Sequence, residues 1–137
     1  MINGETPEAV SSDESLGRFI LQKNHFRNDL TVKPDAFIPY SRTELSVTRH
    51  IGLSVSQIWE IGWEVALKIG KPLFGRADIK ASIFENQKLT VIADPLPNNP
   101  NHANVKGWPA EKPAQKILAL EIAAAAGKML EAPQEIG

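Results

Sequence analysis

Apolar and polar residues alternate most cleanly along Leu45-Ser46-Val47-Thr48-Arg49-His50. Leu45 and Val47 point one way, and Ser46, Thr48 and His50 point the other, which predicts a half-buried strand. Phe19-Ile20-Leu21 and Leu89-Thr90-Val91-Ile92-Ala93 are shorter apolar runs that predict two more strands, the second ended by Asp94-Pro95. Leu73 to Ile83 reads as a strand because Ala77, Ile79, Ala81 and Ile83 alternate with polar residues, although the Ile79–Ile83 spacing also suits a helical turn. A brief extended piece follows at Ala103–Val105.

The period changes at Ile58, Ile61, Val65 and Ile69, with Trp59 and Trp63 beside the stripe. Ser54 and Gln57 form a capping box, Leu53 and Ile58 a hydrophobic staple, and Gly70 with Pro72 a stop. A helix over about 55–69 follows, and its wide apolar face marks it as the central core element. Pro113 suits a first helical turn, and Ala114 to about Leu130 favours helix throughout. Its stripe is Leu118, Ile122, Ala125 and Met129, widened by Ile117, Leu120 and Ala124. The flat run Ala123–Ala126 lets this helix sit close against a sheet or, over 117–129, against a second copy in a homodimer.

These elements predict an α+β fold, with two helices packed on one antiparallel or mixed sheet of about four to five strands. Residues 1–15 hold Glu5, Glu8, Asp13 and Glu14 and almost no large apolar side chain, which predicts a disordered acidic tail. A single domain then occupies 16–132, and 133–137 forms a frayed end. Between the first two strands, 22–43 is loop-rich, with Ala36-Phe37-Ile38 as a small extended insert anchored by Phe37.

Composition narrows the function classes. The 42% hydrophobic and 23% charged content is that of a globular domain, and no apolar run approaches a membrane span. The absence of cysteine excludes disulfides, thiolate catalysis and zinc–thiolate sites and suits a cytoplasmic location. No cofactor loop and no local metal-ligand spacing occur; His50, His102 and Asp78 supply metal-ligand types without a signature. Arg18, Lys23, Arg27, Lys33, Arg42 and Arg49 make the first third mildly basic, a weak signal for RNA.

The densest cluster of shaped-turn residues is Pro97-Asn98-Asn99-Pro100-Asn101-His102. If its turn lies near the Leu45–His50 strand, His50 and His102 become an acid–base pair, with Arg49, Arg76 or Lys112 to steady phosphate charge. That is the apparatus of a metal-independent hydrolase or nuclease. Ser46 and His50 cannot act as nucleophile and base within one strand, since four residues span roughly 13 Å. Arg76 and Asp78 share a strand face and read as an ion pair. The aromatics Phe26, Phe37 and Tyr40 of 22–43, and Asn101, His102 and Trp108 of 96–109, offer recognition surfaces instead.

The motif order Leu45-Ser46-Val47 with Arg49-His50, Gly75-Arg76-Ala77-Asp78, Asn99-Pro100-Asn101-His102-Ala103, Gly107-Trp108-Pro109 and Lys112-Pro113-Ala114-Gln115-Lys116 resembles that of a group of small, uncharacterised bacterial proteins. The resemblance spans roughly residues 18–130 and implies a compact single-domain bacterial protein, with no activity, cofactor or catalytic residue to carry over. The leading expectation is a small non-enzymatic binding module or adaptor with a protein partner, acting through loops 22–43 and 96–109. A hydrolase using His50 and His102, and a weak RNA-binding protein, are the alternatives, so the sequence leaves open whether the chain is an enzyme.

Overall fold

The computed structural model describes residues 9–39 and 43–133. Six strands form one sheet: β1 (Ser15–Ile20), β2 (Leu45–Arg49), β3 (Gly75–Lys80), β4 (Thr90–Ala93), β5 (His102–Lys106) and β6 (Leu130–Glu131). Their order is β4-β5-β2-β1-β3-β6, and every neighbouring pair is antiparallel. The helices are α1 (Val55–Ile69), α2 (Ala81–Asn86) and α3 (Lys112–Ala126). The α+β class is as expected, but the sheet is larger by one or two strands, and α2 is an additional short helix. The Leu73–Ile83 ambiguity resolves into both readings: strand to Lys80, then helix from Ala81. The two-residue β6 carries too little pattern to be read from sequence.

Register and alternation sort the side chains into two faces. Leu16 and Ile20, Leu45 and Val47, Ala77 and Ile79, and Ala103 and Val105 share one face. There they form the main core with Ala119, Ile122 and Ala123 of α3, Phe84 of α2, and Phe37. Pro34–Phe37 is a short 3-10 helix rather than an extended insert, and it carries fully buried Ala36 and Phe37 into this core. Gln115, Ala119, Ile122 and Ala123 supply the buried side of α3, whereas Ile117 and Leu120 face solvent.

The opposite face carries Gly17 and Phe19, Ser46 and Thr48, Arg76 and Asp78, and His102. Among the described helices, α1 packs there. Its ends are as the sequence indicates: Ser54 Oγ accepts from the Gln57 N–H, Gln57 Oε1 accepts from the Ser54 N–H, and Gly70 takes the left-handed φ of 78°. Its expected central place in the core is corrected. Ile58, Gly62 and Ala66 are its buried residues, Trp59 and Trp63 are half-buried, and Ile69 is exposed. Gly62 allows the approach, because a Cβ there would lie 2.7 Å from the Phe19 ring.

The chain also engages the fold earlier than Leu16. Arg49 falls on the main-core face of β2 and is 1% exposed. Its Nε and Nη2 each donate to the Glu14 carboxylate at 2.7 Å. The Glu14 and Ser12 carbonyls accept from the N–H groups of Ala81 and Ser82. Glu14 is therefore bound into the fold, while residues 1–8 of the expected tail lie outside the described residues.

Candidate binding site

The site begins with an interrupted ladder. β1 pairs with β3 at six positions, Ser15 to Ile20, but with β2 only at Leu16–Arg49 and Gly17–Thr48. A continued register would set Phe19 opposite Ser46. Instead the strands separate, and the Arg18 guanidinium spans the separation, donating to the Ser46 carbonyl at 3.0 Å and the Ala36 carbonyl at 2.9 Å.

Over this opening lies a cavity of about 290 Å³. β1 and β2 form its floor through Gly17, Phe19, Ser46 and Thr48; Val65 and Ile69 of α1 form one wall; Leu96, Asn99 and His102 form the other. Among the described residues no Asp or Glu lines it, and most of its exposed surface is apolar. Asn99 closes one end by donating from Nδ2 to Thr48 Oγ1 at 3.1 Å. Ile69 and Leu96 are exposed at 56% and 40%, so apolar surface continues out of the cavity onto its mouth.

His102 sits directly across from Thr48. Its Nδ1 lies 2.9 Å from the Asp94 carbonyl and 3.3 Å from the Asp94 carboxylate. A carbonyl only accepts, so Nδ1 carries the hydrogen, and in the neutral ring Nε2 is left as an acceptor. His50 behaves differently. Its ring lies over Gly17, where a Cβ would be 2.6 Å from Nε2, and Nε2 is 3.7 Å from Asp78 Oδ1. Burial holds the imidazole below its ordinary value of 6.5, the Asp78 charge opposes this, and the Arg76 charge adds to it. Arg76 donates from Nε to Asp78 at 3.0 Å, the ion pair expected from spacing, while its guanidinium carbon lies 4.6 Å from the Trp59 ring centroid.

The four residues proposed for catalysis thus divide. His50 and Arg76 meet at Asp78, on the β3 side of β2. His102 turns to Asp94, on the β4 side. Arg49 lies on the other face of the sheet, locked to Glu14. The two imidazoles of the expected His50–His102 pair engage different carboxylates, Asp78 and Asp94, on opposite sides of β2. Among the described residues no group of three or more His, Asp or Glu side chains could hold a metal.

The proposed recognition residues divide as well. Phe37 is in the core. Trp108 is buried and donates from Nε1 to the Val105 carbonyl at 3.0 Å. Asn101 is 4% exposed and ties the end of β2 to its own loop, donating from Nδ2 to the carbonyls of Arg49 and Ile51, each at 2.9 Å. All three are buried and serve the fold. Phe26 is half-buried against Phe74, with ring centroids 5.4 Å apart. Tyr40 lies outside the described residues. Of the five described, only His102 reaches the cavity. Sequence reasoning missed Phe19, Val65 and Leu96 as cavity residues. Gly17 inside a strand and Gly62 inside a helix were the available signals, since glycine there marks close approach.

Comparison with protein-family models, with curated proteins and with solved structures finds no match.

Proposed function

We propose that this protein is a non-enzymatic binding module whose recognition site is the cavity over the β1–β2 opening. One observation carries the reading: an apolar cavity of about 290 Å³ is bordered by exposed Ile69 and Leu96, on the sheet face that α1 covers. The volume sits at the small end of ligand sites, which run from about 300 Å³ upward, so it suits one or two side-chain-sized groups. Burying an apolar ring or branched chain there contributes roughly 1.5–3 kcal/mol. The 96–109 loop supplies part of the wall, whereas Val32, Ala36, Phe37 and Ile38 of 22–43 belong to the opposite core.

The acid–base alternative has less support, because His50 engages Asp78 and His102 engages Asp94. The RNA alternative is weakened too: Arg18 and Arg27 donate to neighbouring carbonyls, and Arg49 is buried against Glu14.

The test is retention of a partner from native extract at high salt, compared between the wild type and Val65→Trp. Val65 is half-buried on the cavity wall, so tryptophan fills the space without entering the main core. The reading expects one protein retained by the wild type and lost by the variant. Equal retention by both places recognition elsewhere and ends this proposal.

A further inference from the structure

The ladder bonds that flank the opening show which backbone groups it exposes. The His50 N–H donates to the Ser15 carbonyl at 3.0 Å, so residues 15 and 50 are a hydrogen-bonded pair. Antiparallel pairs alternate between bonded and non-bonded, so Gly17–Thr48 is the next bonded pair and Phe19–Ser46 would be the one after. The Arg49 N–H bonds the Asn101 carbonyl at 2.8 Å, which turns the odd residues of β2 toward β5 and the even ones toward β1. The Phe19 N–H and C=O therefore point into the opening, where the register supplies no strand partner. The Ser46 carbonyl on the other side is already taken by Arg18.

We infer that the opening accepts a short extended peptide segment of a protein partner, with an apolar residue paired to the free β1 edge at Phe19 and its side chain among Phe19, Val65, Ile69 and Leu96. The inference rests on the reading of the cavity as a binding site and names what fills it. Three observations select this occupant. An amide edge offering one donor and one acceptor is complementary to a residue in β conformation, the mode of strand addition. The unpaired stretch of about three residues, near 10 Å long, matches a short segment and not a full strand. The lining carries Lys68 and, among the described residues, no carboxylate, which favours an acidic residue next to the apolar one over a basic one.

The experiment is a residue-resolved amide NMR titration of the full chain with acetyl-Ala-Phe-Glu-amide. The controls are the same peptide methylated on the phenylalanine nitrogen, its Lys counterpart, and p-cresol as an apolar probe without the amide edge. The expected result is shifts at Phe19 and Ser46 with the parent peptide, at least tenfold weaker binding after methylation, and several-fold weaker binding with Lys at low salt. If methylation changes nothing and p-cresol shifts the cavity residues equally, the cavity binds but the peptide inference is overturned. If Lys and Glu peptides bind alike, the preference for an acidic neighbour is overturned. If neither peptide nor p-cresol shifts Phe19, Val65 or Leu96, the cavity reading falls with it.

Discussion

Removing the Glu14 carboxylate should be the most damaging polar substitution in this protein. The Arg49 side chain is 2% exposed and that of Glu14 is 7% exposed, and the guanidinium meets the carboxylate through two bonds of 2.7 Å. Glu14→Ala takes this carboxylate away from a buried cation. Breaking a buried pair from one side costs about 3–5 kcal/mol, because the remaining charge stays desolvated. For a domain of this length that lowers Tm by about 10–17 °C. The assay is urea and thermal unfolding of Glu14→Ala, Arg49→Met and the double variant. The double variant should be more stable than Glu14→Ala alone, since methionine suits the apolar surroundings and no lone charge remains. Acid adds a second check. Burial pushes the Glu14 carboxyl up, but hydrogen bonds from Arg49 and the Ser11 N–H, with the Arg49 charge, hold it below its ordinary value of 4.5. A group depressed on folding stabilises above its unfolded value, and that contribution is lost as pH falls through the folded one. The wild type should therefore lose stability below pH 4.5 more steeply than Glu14→Ala. A loss under about 1 kcal/mol for Glu14→Ala would refute the claim that this pair holds the start of the domain.

Three further outcomes are expected. His50 and His25 are both held below 6.5, in each case chiefly by burial, so the unfolded chain binds more protons below that value. Stability should fall as pH drops through 6.5, and His50→Gln should flatten part of that dependence in urea melts at pH 7.5 and about 5.5. Gly17→Ala should cost about 1–3 kcal/mol, because its Cβ would sit 2.6 Å from His50 Nε2 and the ring must leave its place; an unmoved His50 ring signal by NMR would contradict this. Asn101→Ala should cost about 2–3 kcal/mol by unbonding the carbonyls of Arg49 and Ile51, read as faster amide exchange at the end of β2.

What the sequence conveyed follows from the range of the forces involved. Ser54, Gln57 and Gly70 act within one or two turns, so both ends of α1 were legible. The Leu45–Arg49 alternation was also local, but it was not followed to Arg49, which shares the apolar face with Leu45 and Val47. The partner that makes this tolerable, Glu14, lies 35 residues earlier in a segment whose composition resembles a tail. The tryptophans misled for a related reason. An aromatic stripe measures how much surface a helix can bury, not which face of the sheet has the larger core to receive it. The β1–β2 opening is least legible of all, because it arises from where two registers stop agreeing.

The strand order also fixes when the molecule can finish assembling. β2 pairs on one side with β1, but its other neighbour, β5, joins Leu45 to Val105 and Thr48 to His102. On a ribosome, the β5-facing edge of β2 must wait until some 55 further residues have emerged. Such sequence-distant ladders slow the conformational search, since a long loop is closed before any contact rewards it. Nascent chains halted before His102 should thus display a naked β2 margin, the interval in which a chaperone has most to cover.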